Sequence, residues 1–344
     1  MPDDRRGSLD GSAVDRVLEG RDSLGRRLGS LPDGHPSSAF EEDGSRREPT
    51  VSLRDLELDV DESPADHRRP LTDAEWSDHV RDVRVSLVDA KRAGLATFER
   101  YTTDPDHTRW TRDRRHLHAE IVGTLYEEAS NVPNDHKAIV AGGLAGAGKT
   151  TVLEKHAAVD RSQYLTINPD DIKAEMAKRG MVPKVDGLSP MEASDLIHEE
   201  SSYVARQLAT RAKADGKNVI WDITMSDRAK TEKRIEELRT AGYGQINGIF
   251  VDIPIDVSVH RADARHREGE EDYRSAKGLG GRYVPPEIIT AQADERWGCQ
   301  NRRTFEEVKD QFDHWARFDN GVDDRDPIRV EASQLDADLE ETPT

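Results

Sequence analysis

The chain of 344 residues has a single cysteine, Cys299, so no intramolecular disulfide can form and no thiol cluster can hold a structural zinc. Aromatic residues make up only 5% of the sequence, and no apolar run approaches the ~18 residues of a membrane-spanning helix. The opening Met-Pro-Asp-Asp-Arg-Arg lacks the apolar core of a secretory signal. These absences argue against a secreted disulfide scaffold, a membrane protein or a zinc finger, and a reduced, cytoplasmic location is expected. Positive charge is also scarce. Fifty Lys plus Arg face 69 Asp plus Glu, a formal net charge of -19. Such a chain repels DNA, RNA and anionic bilayers on average, so neither nucleic acid nor membrane is an expected partner.

Hydrophobic residues are 34% and charged residues 35%, too polar a balance for one fully packed globule. Residues 1–70, dominated by Ser, Gly, Pro, Asp and Arg, read as a disordered tail in which only VSLRDLELDV (51–60) alternates weakly like a strand. Residues 335–344 read as an acidic tail. Between them, Thr72 and Glu75 have capping-box spacing, and Val80, Val83, Val85, Leu87, Val88, Leu95 and Phe98 recur at helical intervals. A second helix is expected from about Thr108 to Ala129, with Leu117, Ile121, Leu125 and Tyr126 on one face. Its Arg109, Arg112, Arg114, Arg115, His116 and His118 read as a solvated basic face. Residues 71–135 are thus a helical subdomain packed on a core formed by the later residues.

From Lys137 onward, short apolar runs alternate with amphipathic stretches. Strands are expected at 138–141, 164–167, 219–222, 246–251 and 328–330, with helices at 150–159, 190–214, 227–241, 257–268 and 286–317. Continuous apolar strands separated by crossover helices imply an α/β fold: a parallel sheet with helices on both faces, spanning 136–334.

Gly143-Leu144-Ala145-Gly146-Ala147-Gly148-Lys149-Thr150 matches the phosphate-binding pattern G-x-x-x-x-G-K-[ST], between an apolar strand and a helix that begins near Thr151. The glycines let the backbone aim N–H groups at phosphate oxygens, Lys149 meets the terminal phosphates of ATP, and the Thr150 hydroxyl suits Mg²⁺. No guanine-reading Asn-Lys-x-Asp is present. A P-loop kinase of a small acceptor is the expected class. Carboxylates then fall where strands end, which is where ligands bind in such sheets. Asp170 and Asp171 follow the second strand, where one could accept the proton of an acceptor hydroxyl or simply cap the next helix. Asp222 ends the third strand, placed to organise Mg²⁺ or to face the acceptor. Arg261, Arg265 and Arg267 precede a Gly-rich stretch, KGLGGRYVPP, that contains Arg282, and the whole reads as a lid over the triphosphate.

The ordered set of Walker loop, Asn168-Pro169-Asp170, Asp222-Ile223-Thr224, Arg265 and Arg282-Tyr283-Val284-Pro285 resembles the zeta toxins, the epsilon/zeta, PezT-like toxin–antitoxin kinases. The resemblance covers roughly Lys137 to Ala332. It implies ATP- and Mg²⁺-dependent phosphorylation of a UDP-sugar such as UDP-N-acetylglucosamine, and an antitoxin protein that covers the ATP site. It implies Asp170 as general base, Lys149, Arg265 and Arg282 as phosphate ligands, and Asp222 and Thr224 as acceptor contacts. Two departures lie on the acceptor side: Asp222 stands where the family has Glu, and Ser226 where it has Arg, with Arg228 the nearest substitute. Alternatives are a kinase of another small acceptor (antibiotic, sugar, nucleoside or dinucleotide) and a non-catalytic ATP-dependent regulator.

Overall fold

Thr72 opens the first helix, α1 (Asp73–Arg92): its hydroxyl accepts from the Glu75 N–H, and the Glu75 carboxylate accepts from the Thr72 N–H at 2.9 Å. The computed structural model describes residues 69–333, so the tails expected at 1–70 and 335–344, with the 51–60 segment, lie outside the described residues, Arg69 and Pro70 excepted. The described residues from Pro70 on belong to one compact unit, with no division near residue 135. The buried stripe of α1 is Trp76, Val83, Leu87 and Ala90. Val85 and Val88, expected within the same pattern, are 55% and 42% exposed because they fall on the opposite side of the helical turn.

A short helix, α2 (Thr97–Tyr101), leads to α3 (Arg112–Glu128). The second helix starts later than expected because the Asp104 carboxylate accepts from the N–H groups of Thr108 and Arg109, making a turn, and Thr111 provides the helix cap. The basic face of α3 also departs from expectation. Arg114 and His118 are buried against Glu200, which lies on a later helix and is itself fully buried. Arg114 donates to both Glu200 oxygens at 2.8 and 2.9 Å, and His118 Nε2 lies 2.6 Å from Oε1. A charge run on a helix face gives no hint of a partner 86 residues away.

The six-stranded sheet has the order β2-β3-β1-β4-β7-β8. Its strands are β1 (Lys137–Gly142), β2 (Leu165–Ile167), β3 (Val219–Asp222), β4 (Gln245–Asp252), β7 (His314–Asp319) and β8 (Ile328–Ala332). All pairings are parallel except the edge pair β7–β8. Crossovers are α4 (Lys149–Lys155), α5 (Pro169–Lys178) with α6 (His198–Ala214), α7 (Arg228–Thr240) and α8 (Ile255–Arg274). The single helix expected at 286–317 is instead α9 (Pro286–Thr290), a hairpin of β5 (Ala293–Asp294) and β6 (Gly298–Cys299), α10 (Gln300–Val308), and β7. Asp294 turns the chain by accepting from the Arg296 and Trp297 N–H groups, and the Phe312 ring then seats where a Cβ on Gly248 of β4 would stand 2.3 Å away. Along β1, Ala138 and Val140 pack into one apolar cluster and Ile139 and Ala141 into another, so the central strand is buried on both faces.

Replacing Glu200 by Ala strands a buried guanidinium. Chemical denaturation of Glu200→Ala should show about 3–5 kcal/mol lost, far more than for a surface pair.

Candidate active site

The loop 143–148 leaves β1 at the centre of the sheet and enters α4. Gly143 has φ +142° and passes so close to β4 that a Cβ would stand 2.4 Å from the Val251 carbonyl oxygen. Gly148, the residue before α4, has φ +79°, a left-handed conformation that side chains resist. Three contacts from distant parts of the chain brace the loop: from the residues after β3, from α8 and from the residue after β7. The Gly143 N–H donates to the Thr224 carbonyl at 3.3 Å, the Ser258 hydroxyl to Ala145 at 2.7 Å, and the Asn320 amide to Ala147 at 2.8 Å. With its carbonyls held from behind, the loop offers the N–H groups of the first turn of α4 to an anion. Leu144 and Ala147 anchor the loop in the core, Ala145 and Gly146 are half-buried, and Thr150 and Thr151 are exposed on that first turn.

Lys149 folds back across the loop, 3.3 Å from the Gly143 carbonyl and 3.4 Å from Asp222 Oδ1. The Asn168 amide donates to the other Asp222 oxygen at 3.1 Å, while its own carbonyl oxygen accepts from the Asp170 N–H at 2.9 Å. Asn168 is therefore the cap of α5, which replaces the expectation that Asp170 or Asp171 fills that role. Asp170 instead ion-pairs with Arg282 and lies 3.6 Å from Lys173 Nζ. Desolvation raises the Asp170 pKa, but the Arg282 guanidinium and Lys173 together outweigh it and hold the carboxyl below its ordinary value. Asp171 moves the other way, raised by desolvation and then by repulsion from Asp222 and Asp170. Burial lowers the pKa of Lys173, opposed by Asp170. The Arg265 guanidinium is within electrostatic reach of Arg282, Asp170 and Asp222.

The structure thus brings Lys149, Asp170, Asp222, Arg265 and Arg282 together. The Thr224 hydroxyl is exposed beside Ser226 Oγ at 3.1 Å, and the Thr224 carbonyl braces the phosphate loop. Other arginines are held elsewhere: Arg228 by Glu232 and Glu307, Arg261 by Asp323, and Arg267 by Asp73 and Glu271. The Gly-rich stretch is seated rather than free. A Cβ on Gly281 would stand 1.8 Å from the His266 carbonyl oxygen, and one on Gly280 2.0 Å from Ser189 Oγ. Gly281 serves close packing against α8 beside Arg282, and Tyr283 is buried next to it.

Lys173, Ser258 and Asn320 were not singled out from sequence. Lys173 carried a signal, since it lies three residues after Asp170 on the same helix face. Ser258 and Asn320 carried none, because their contacts span 113 and 173 residues. For magnesium, the Thr150 hydroxyl and the Asp222 carboxylate are hard oxygen donors, few in number, and so fit an ion that keeps several waters and phosphate oxygens.

Asn320→Ala leaves the Ala147 carbonyl without its partner, a loss of about 1–3 kcal/mol in loop positioning. Nucleotide titration should show roughly tenfold weaker binding, while the far-ultraviolet dichroism stays unchanged.

The sequence matches the zeta toxin family over residues 124–322. Among solved structures, the AvrRxo1-ORF1:AvrRxo1-ORF2 complex with sulphate ions is similar at 18% identity, over 69% of this chain and 76% of that one, with a TM-score of 0.51. The AvrRxo1 complex with ATP is similar at 17% identity over the same shares, also at 0.51. The PezAT chromosomal toxin–antitoxin system of Streptococcus pneumoniae is similar at 19% identity over 66% and 82% of the two chains, at 0.46. No curated protein sequence gave a match. The phosphate loop at the centre of a parallel sheet, and a family match covering more than half of the residues, lead to one conclusion: the chain belongs to the zeta toxin family and has the fold of a P-loop kinase.

Proposed function

We propose that the protein transfers the γ-phosphoryl group of ATP to a hydroxyl of a small nucleotide-linked sugar such as UDP-N-acetylglucosamine. The observation that carries this reading is the unbroken run of contacts Lys149–Asp222–Asn168–Asp170–Arg282, which joins the phosphate loop to a carboxylate set for proton transfer. A protein of similar fold has been seen with ATP, which supports the choice of donor.

In this mechanism the acceptor hydroxyl gives its proton to Asp170 as its oxygen attacks the γ-phosphorus. The bond to the bridging β–γ oxygen breaks and ADP leaves. Lys149 and the loop N–H groups meet the charge on the leaving phosphate, and Arg265 and Arg282 meet the charge on the transferring group. Magnesium held by Thr150 and Asp222 would neutralise charge on the β- and γ-phosphates. Arg282 has two anionic partners in this scheme. When it turns from Asp170 to phosphate, the carboxylate loses the charge that depresses its pKa and becomes a stronger base at the moment the proton must move. The Thr224 hydroxyl contacts the acceptor, and an antitoxin covers the ATP site, as the family resemblance implies.

One observation favours a second reading, a different small acceptor. Arg228, the nearest substitute for the acceptor-side arginine of the family, is paired with Glu232 and Glu307 instead.

The test is ADP release by purified protein with ATP and Mg²⁺, with and without UDP-N-acetylglucosamine, using Lys149→Ala as the blank. Stimulation with a product one phosphate heavier supports the first reading, and unstimulated release with ATP still bound moves the acceptor elsewhere. Asp170→Asn should lower kcat by roughly 10²–10⁴-fold. Because the Asp170 pKa is depressed in the free enzyme, its acid limb in kcat/KM should fall below the ordinary aspartate value of about 3.9. A limb near neutrality would assign the base to another group.

A further inference from the structure

Away from the phosphate loop, two histidines from distant parts of the chain converge on one carboxylate. His79 of α1 and His266 of α8 place their Nε2 atoms 2.6 and 2.8 Å from the same oxygen, Oε1 of Glu192. The second Glu192 oxygen accepts from the Ser189 N–H at 2.9 Å and the Ser189 hydroxyl at 3.1 Å, which fixes the orientation of the carboxylate. Glu192 and His266 are each 1% exposed, and ligand-capable atoms of all three residues lie within 4.8 Å of one another. A second carboxylate sits beside them. Glu270, one turn beyond His266 on α8, is 5% exposed, and its Oε2 has no hydrogen-bond partner. A buried oxygen of this kind is normally satisfied.

We propose that His79, Glu192, His266 and Glu270 bind one divalent transition-metal ion with the ligand preference of zinc. Two imidazoles and two carboxylates match that preference, at metal–ligand distances of about 2.0–2.2 Å. The two Nε2 atoms stand closer to Glu192 Oε1 than the roughly 3.3 Å spacing such distances imply, so side-chain rotations of His79, His266 and Glu270 are needed to open the site around an ion. The ion takes the Nε2 lone pairs, the imidazole protons reside on Nδ1, and any proton shared with Glu192 is released to solvent. Apolar and aromatic walls limit the competing water. The Trp76 and Tyr283 rings lie 4.6 and 5.5 Å from the His266 ring, and the Trp76 indole N–H is anchored on Asp263. His79 also lines a surface cleft of about 410 Å³ with Asp82 and Asp186, an access route of suitable charge.

The position of the site gives the ion a role. His79 precedes the family-matched residues 124–322, whereas His266 follows Arg265 directly, and its carbonyl contacts Gly281, the neighbour of Arg282. Metal at this point pins α1 to the support of both phosphate arginines.

The test uses full-length protein stripped with a chelator and titrated with Zn²⁺ or Co²⁺. Wild type should take up one equivalent, with a rise in the thermal midpoint and, for Co²⁺, visible absorption of a four-coordinate nitrogen–oxygen site. His79→Gln and His266→Gln should lose that equivalent, while Asp222→Asn and Cys299→Ser should keep it. Stoichiometric uptake that survives both histidine substitutions, or folded wild-type protein that takes up no metal, overturns the proposal. The wild-type stoichiometry decides the matter even if a variant fails to fold.

Discussion

Asn168 holds two acidic groups at once. Its carbonyl oxygen takes the Asp170 N–H and so begins α5, while its amide N–H grips the Asp222 carboxylate at the end of β3. An amide can do this because it is donor and acceptor in one rigid plane, whereas an aspartate at the same place would repel Asp222. Through that one side chain the spacing between β2 and β3 becomes the spacing between Asp170 and the carboxylate that faces Lys149. The remaining contacts of the site, Lys149 on Asp222 and Arg282 on Asp170, attach to positions that Asn168 has already set.

The range of each force decides how much of the structure is legible in the sequence. The phosphate loop was readable because its spacing encodes local backbone geometry, and the Thr72–Glu75 box because both partners lie within one turn. Apolar runs located five of the six strands in the main sheet, since burial on both faces leaves little choice of residue. β7 escaped because His314, Arg317 and Asp319 interrupt its apolar content, and its stability comes from pairing with β4 and from Phe312 over Gly248. Arg114 and His118 were misread for the same reason, because only the distant Glu200 makes burying them tolerable. The Gly-rich stretch shows the ambiguity of glycine itself. Glycine permits motion and it permits close approach, and only the neighbouring backbone of α8 shows that the second applies.

Charge is distributed against the average. A chain with a net charge of -19 gathers Lys149, Lys173, Arg265 and Arg282 around two aspartates. Acidic surroundings lower the attraction for large polyanions, yet a small anion that reaches the site meets concentrated, partly desolvated positive charge. Specificity for a small phosphate-bearing ligand over a nucleic acid can therefore begin with electrostatics, before any shape recognition.

The brace from Asn320 to the Ala147 carbonyl couples the phosphate loop to a strand that follows it by more than 160 residues. Asn320 directly follows β7, so a local opening of β7 withdraws the amide and loosens the loop. By linkage, a nucleotide that binds only the braced loop must suppress that opening in proportion to its affinity. The signature of nucleotide binding would then include slowed amide hydrogen exchange in β7, whose following residue braces the loop.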